Sequence, residues 1–324
     1  MNSFISVLLS ITFTFLSIET AYAQNTNYPN KAVKLIVSFA PGGSVDVTAR
    51  QLGAVLTEHW KQSVIIETRA GADGNIAAEM VARSTPDGYT LLITSNAISI
   101  TPALRKLPFN PISDLKAITR ISSIPNFLVV HPSLPVNNIQ ELIAYAKSKP
   151  GELSFASSGT GTGPFMGMAL LQTQTGIRMT HIPYKGSAPA VMATLGNQTQ
   201  LMFGDLNSTY PHVKSGKLKI LGVSSLQRSA LAPEVPTVSE SGITGFEIGT
   251  WVGVFAPANI PKSIVDALSR DIDLAVKTPA FQEKIKSMGA QLNGDNPETF
   301  ANIMKSDIDR WTRVVRELDI KATD

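Results

Sequence analysis

A strand–turn–helix order that returns along the chain from residue 33 onward restricts the fold more than any other feature. Residues 33–39 read as a strand, turn through Pro41-Gly42-Gly43-Ser44, and enter a helical stripe with Val45, Ala49, Leu52 and Leu56 at i, i+4, i+7 and i+11. Val64-Ile65-Ile66-Glu67 is a second strand. Asn75 to Arg83 is a short helix stopped by Pro86-Asp87-Gly88, and Thr90 to Thr94 is a third strand. A β-α-β-α-β run of this kind closes only as a parallel sheet with helices on its faces, because each crossover must carry the chain back to the same end of the sheet.

The alternation continues. Residues 101–118, rich in proline and polar side chains, read as a surface excursion, and Phe127 to Val130 as a strand ending at His131-Pro132. Ile139, Leu142, Ile143 and Ala146 mark a helix closed by Pro150-Gly151. A second strand leads into Gly159-Thr160-Gly161-Thr162-Gly163, with Phe165, Met168, Ala169 and Gln172 continuing as a helix. Further strands are expected at 201–203, 218–224 and 250–256. Ile264, Leu268, Ile272 and Ala275 form one later helical stripe, and Phe300 to Leu318 a long terminal one that packs on a core. With 324 residues, 43% of them hydrophobic, the chain is long enough for two domains.

Where a strand turns through glycines into a helix start, several backbone N–H groups point at one spot with the helix dipole behind them, and an anion is attracted there. Phe39, Ala40, Pro41, Gly42, Gly43 and Ser44 form one such turn, without Lys or Arg in it. Ser157, Ser158, Gly159 and Thr160 open the other. Both follow the tripeptide Ser-Phe-Ala, at 38–40 and 154–156. Two such starts facing across a cleft would hold both ends of a dicarboxylate. Asp46 falls in the first helical turn, where a carboxylate either complements the dipole or orients water or a ligand donor. Gly74 and Asn75 open the second helix and are either a simple turn or a further anion contact. Asp205 follows a strand and reaches the cleft or lies in a solvated turn.

Other chemistry is excluded. The net charge of +3 is dispersed with no basic block, which argues against nucleic acid. The chain has no cysteine, so disulfides, thiolate metal sites and a lipid-modified cysteine anchor are ruled out. It carries no G-x-S-x-G, no G-x-x-x-x-G-K-[ST] and no H-E-x-x-H, and its four histidines are scattered. No enzyme activity, catalytic residue, cofactor or metal is expected. Residues 1–23 read as a secretory signal: Phe4 to Ile18 is an apolar run too short for a comfortable membrane span, followed by the small-x-small pattern Ala21-Tyr22-Ala23. Cleavage after Ala23 and release into the periplasm are the expectation.

Several segments, in order, resemble one family. These are Tyr28-Pro29-Asn30-Lys31, Phe39-Ala40-Pro41-Gly42-Gly43-Ser44-Val45-Asp46, Arg69-Ala70-Gly71-Ala72-Asp73-Gly74-Asn75 and Pro86-Asp87-Gly88-Tyr89-Thr90-Leu91-Leu92. Ile182-Pro183-Tyr184-Lys185-Gly186, Gly216-Lys217-Leu218, Arg228-Ser229 and Pro233-Glu234-Val235-Pro236-Thr237-Val238-Ser239-Glu240-Ser241-Gly242 follow. The chain is similar to the substrate-binding receptors of tripartite tricarboxylate transporters, the Bug proteins. The resemblance implies an α/β, two-lobed periplasmic binding protein of the type II fold, each lobe a mainly parallel sheet flanked by helices, with a hinge between. Lobe 1 is then 24–126 plus 228–324 and lobe 2 is 127–227, with crossings near 125–130 and 224–232.

By the same resemblance, Phe39 to Ser44, Asp46, Gly74 and Asn75 bind a small carboxylate from one side, and Ser157 to Thr160, Tyr184 and Asp205 from the other. The loaded receptor docks on a membrane permease. A ligand sensor working with a two-component kinase, or an enzyme on a carboxylated substrate, are the alternatives. The chain departs from the family pattern at Pro164-Phe165-Met166-Gly167, after the second glycine loop, and at Gly204-Asp205, where the aspartate comes one place later.

Overall fold

The computed structural model describes residues 28–321, so the secretory segment read at 1–23 lies outside the described residues. The chain opens with β1 (Val33–Val37), α1 (Ser44–Trp60) and β2 (Val64–Thr68). A 3-10 turn at Ala72–Gly74 leads into α2 (Asn75–Ala82), β3 (Thr90–Ser95), α3 (Ala97–Leu104) and the long β4 (Leu115–Val130). Then come α4 (Ile139–Ser148), β5 (Ser154–Ser157), α5 (Gly163–Thr175), β6 (Thr180–Pro183), α6 (Ser187–Leu195), β7 (Leu201–Asp205), α7 (Leu206–Lys214) and β8 (Lys219–Val223). The last elements are β9 (Gly249–Pro257), α8 (Lys262–Val276), α9 (Pro279–Ser287), β10 (Gln291–Leu292) and α10 (Pro297–Glu317).

β1 pairs in parallel with β2 and β3, and β5 in parallel with β6 and β7. Between these runs β9 lies antiparallel to β3 and β4, and β4 antiparallel to β7 and β8. β4 is the shared strand. Its residues Leu115 to Pro125 pair with β9, and Asn126 to Val130 pair with β7. The fold is the two-lobed α/β arrangement expected, each lobe a sheet covered on both faces.

The period of two sorts side chains to those faces. Leu35 and Val37 join a core with Leu52, Leu56, Ile93, Leu268 and Phe281, while Ile36 between them joins Val81, Leu92, Phe255 and Phe300 on the other face. In the second lobe Leu128 and Val130 meet Phe155, Phe165, Phe203 and Phe246, and Phe127 and Val129 meet Ala156, Met202 and Val223. Each large apolar side chain buried this way stabilises by about 1.5–3 kcal/mol. All of the expected face of α1, Val45, Ala49, Leu52 and Leu56, is buried.

Two expectations change. Residues 101–118 form a surface connection only over 105–114: on either side they hold the end of α3 and the start of β4, with Thr101, Leu115, Ala117 and Ile118 buried. Pro102 sits inside α3, where a proline reads as a breaker, and register shifts between Ala117/Thr119 and Arg120/Ser122 blur the alternation of β4. Residues between β8 and β9 pack against the second lobe, although residue 228 was expected to return to the first. Ala232 and Val235 lie with Phe127, and Val238, Ile243, Phe246 and Ile248 with Leu128. The chain re-enters the first sheet at Gly249, opposite Pro125. α10 spans both lobes, Phe300 and Met304 in one core and Trp311 in the other. Among the described residues, no helix is long and apolar enough to cross a membrane.

Candidate functional site

Four helix starts converge between the lobes. Gly43, Ser44 and Val45 from the start of α1, Thr162, Gly163 and Pro164 from α5, Ser187 from α6, and Asp205, the N-cap of α7, line one inner cavity of about 20 Å³. That volume holds a single water-sized group. Ser95, Ser158 and Thr250 complete a wall dense in hydroxyls.

Among the described residues, Asp205 is the only charged side chain in this wall, and it is 3% exposed. Its carboxyl accepts from the Ser187 hydroxyl at 3.1 Å and from Asn126 Nδ2 at 3.2 Å. The start of α1 at Ser44 lies beside it. Burial pushes its pKa up from the ordinary carboxylate value, while the donors of Ser44, Ser187 and Asn126 pull it down. No cation figures among the groups that act on it. A carboxyl of this chain therefore lines the same cavity as the start of α1.

An outer pocket of about 390 Å³ adjoins the inner cavity and shares Phe39 and Ser158 with it. Gly74, Gly159, Thr160 and Tyr184 line it, as do Asp73, Arg105 and Lys185. The Arg105 guanidinium is held by Asp73 (Nη2 to Oδ2, 2.8 Å), and its buried Nε–H has no partner among the described residues. Lys185 is exposed.

Of the residues singled out from sequence, Phe39, Gly43, Ser44, Ser158 and Asp205 line the inner cavity. Phe39, Gly74, Ser158, Gly159, Thr160 and Tyr184 line the outer pocket. Ala40, Pro41, Gly42, Asp46, Asn75 and Ser157 face neither and brace the loops that do. Ala40 donates its N–H to the Lys185 carbonyl at 3.0 Å, and Gly42 donates to the Asp46 carboxylate at 3.0 Å. Asp46 also pairs with Arg50 at 2.9 Å. Asn75 Nδ2 donates to the Ala72 carbonyl at 2.7 Å. The Ser157 hydroxyl bonds His181 Nε2 at 2.6 Å and accepts from the Gly159 N–H at 3.1 Å. The lobes touch through glycines: a Cβ on Gly43 would lie 3.3 Å from Ser187 Cβ, and one on Gly186, at φ 137°, 3.1 Å from the Ala40 nitrogen.

Sequence reasoning missed Asp73, Arg105, Thr162, Lys185, Ser187 and Thr250 as lining residues. Ser187 had a usable signal, since Ser-Ala-Pro after a glycine marks a helix start. Lys185 lay inside a motif already singled out. Arg105 carried no signal once 101–118 was taken for an excursion.

The family model described as "Tripartite tricarboxylate transporter family receptor" matches residues 48–320. Protein BugT of Bordetella pertussis is 35% identical over 297 residues, covering 91% of this chain and 91% of that one. The structure of periplasmic binding protein BugD superposes with a TM-score of 0.87 at 34% identity, covering 91% of this chain and 99% of that one. The structure of R. palustris Rpa4515 with adipate superposes with a TM-score of 0.87 at 33% identity, covering 91% and 99%.

Proposed function

The chain belongs to the tripartite tricarboxylate transporter receptor family, and on that premise we propose that it is a periplasmic solute receptor that captures a small carboxylate between its lobes and delivers it to a membrane permease. Export follows from the segment 1–23, with cleavage after Ala23. Relatives bearing on the cargo include BugD, a periplasmic binding protein, and Rpa4515, which holds adipate.

One observation carries the reading. Helix starts from both sides of the cleft meet at a single cavity that adjoins a pocket large enough for a short organic acid. The loops at 39–44 and 157–160, with Gly74 and Tyr184, enclose the cargo, while Asp46 and Asn75 fix the geometry of their own turns. Hydrogen bonds to a charged acceptor contribute about 1.5–3 kcal/mol each, so four or five of them, less the cost of ordering and closure, reach micromolar affinity. The operation is capture and release. Movement occurs where β4 passes from one sheet to the other at Pro125-Asn126 and where the chain re-enters at Gly249.

The test is native mass spectrometry of freshly purified mature protein, followed by a thermal-shift screen of carboxylic acids. A ligand at 100 times its Kd stabilises by about 2.7 kcal/mol, which is readily seen as a rise in melting temperature. Retention of an acid, or a shift with one, is expected; silence across a broad panel of C3–C8 acids overturns the reading.

A further inference from the structure

The chain passes between the lobes at Pro125-Asn126 and again at Gly249, and a groove larger than the cleft pockets opens against these crossings. Its volume is about 890 Å³, against about 390 Å³ for the outer pocket. One wall is the segment 225–231, which leads into Ala232 and Val235 of a second-lobe core. The facing wall holds Lys286, Gly289, Ala290 and Gln291, and Ala290 belongs to a first-lobe core. Trp251 and, from α10, Asp307, Arg310 and Trp311 line the rest. We propose that this groove is a second ligand site, taking a compact aromatic acid with an apolar ring body and one anionic group, and that its occupation favours the closed cleft. The inference goes beyond capture in the cleft.

Shape, surface and charge each bear on this. The groove falls within the size range of small-molecule sites. Leu226 and Leu231 on its wall are exposed large apolar side chains that a ring body would cover. The Arg310 guanidinium lies over the Trp311 ring at 4.8 Å and is itself exposed, so an aromatic ring can extend the stack. Of the lining charges, Arg228 is bonded to Glu240 at 2.8 Å, and Asp307 accepts from the Trp251 indole at 2.6 Å. Lys286 and Arg310, neither of them in an ion pair among the described residues, then stand against Glu247, and that balance favours one anionic group. The link to the cleft is short. Ser95 and Thr250 line the inner cavity, whereas the residues that follow them, Asn96 and Trp251, line the groove, and Thr250 lines both. The Ala40 N–H reaches the Lys185 carbonyl across the cleft, so the groove has the shape it takes when the lobes touch. Its walls belong to different lobes. A ligand that fits this shape therefore selects the closed form.

The experiment is fluorescence titration of the mature protein with anilinonaphthalene sulfonate, a dye that brightens in apolar sites, followed by its displacement with naphthalene sulfonate, naphthalenemethanol and decanoate. Saturable binding is expected, weakened at least about threefold by Lys286→Glu and by Arg310→Glu, with the melting temperature of each free variant as a control for folding. Leu231→Glu takes the place of either variant that fails to fold. Naphthalene sulfonate should displace the dye at lower concentration than the neutral alcohol or the acyl chain. Amide exchange at Ala40, whose N–H crosses to Lys185, should slow at least about threefold when the dye is bound. Absence of saturable binding, binding that the charge reversals leave unchanged, or binding that Tyr184→Ala abolishes removes the groove as the site. Stronger displacement by decanoate or by the alcohol overturns the aromatic-acid class, and unaltered exchange at Ala40 overturns the coupling. None of these readouts requires a carboxylate in the cleft, so carboxylate capture stands or falls on its own screen.

Discussion

The backbone N–H of Ala40 donates to the backbone carbonyl of Lys185 at 3.0 Å, so the loop after β1 and the loop before α6 are joined main chain to main chain. No side chain bridges that contact, and its closeness depends on Gly186, whose φ of 137° is one that L side chains rarely adopt. A Cβ at this position would press on Ala40 of the facing loop and add backbone strain at the point where the two lobes meet.

Gly186→Ala should hold the cleft apart. The added Cβ would sit 3.1 Å from the Ala40 nitrogen, and the strained backbone costs about 1–3 kcal/mol on its own. A larger radius of gyration by small-angle scattering and at least about tenfold weaker carboxylate binding are expected, with the helical circular dichroism retained. Unchanged scattering and unchanged affinity would remove Gly186 from the closing surface.

Asp46 works on its own loop. It accepts from the Gly42 N–H and pairs with Arg50 across one helical turn, and its side chain is nearly buried. Asp46→Ala should lower stability by about 1–2 kcal/mol in urea, through the lost loop bond and the lost favourable charge in the first turn of α1. Arg50→Ala, at an exposed cation, should cost under about 1 kcal/mol. Equal losses would mean that the ion pair, and not the bond to Gly42, holds the turn.

His181 gives the protein an acid-side weakness. Its ring packs on Phe155 and Phe165 at 4.8 and 4.7 Å, and burial lowers its pKa from 6.5 to about 4. Between those values the unfolded chain takes up a proton that the folded chain does not. Stability from this group is complete above pH 6.5 and is lost as pH falls toward 4. Urea midpoints measured from pH 7.5 to 4.5 should fall less steeply in His181→Gln than in the wild type; parallel curves would place the weakness elsewhere.

Much of this architecture was legible because period-two burial is explicit at Leu35, Ile36 and Val37, and helical spacing at Val45, Ala49, Leu52 and Leu56. The secretory segment at 1–23 stays an expectation, since it lies outside the described residues. What escaped has physical causes. Register shifts scrambled the alternation of β4, and Pro102 hid α3, so Arg105 was lost with them. In sequence, Gly204 to Ser208 allows either a cleft contact at Asp205 or a solvated turn; in the structure α7 starts there with Asp205 as N-cap, and Asp205 lines the inner cavity. At the site, the glycine loops were legible as places where N–H groups gather. Their partners were not: Ala40 with Lys185 and Ser187 with Asp205 are tertiary pairings that one strand–turn–helix unit cannot announce.

One buried hydroxyl ties together the two chain segments that cross between the lobes. Ser224 Oγ accepts from the Asn126 N–H at 2.8 Å and donates to the Ile248 carbonyl at 2.6 Å, while the Ser224 N–H donates to the Asn126 carbonyl at 2.8 Å. Asn126 is the residue at which β4 changes partner from β9 to β7, and its side chain reaches Asp205 in the cleft. Ser224→Ala keeps the backbone bond but leaves a buried N–H and a buried carbonyl without the hydroxyl that joined them. Each such group costs about 1–3 kcal/mol, so a loss of about 2–4 kcal/mol is expected after partial relaxation. Because the damage lies at the crossing and not in either core, hydrogen exchange should quicken first at Asn126 and Ile248, before the interior amides of β1 or β5. A loss below about 0.5 kcal/mol, with protection at Asn126 unchanged, would move the pivot away from this residue.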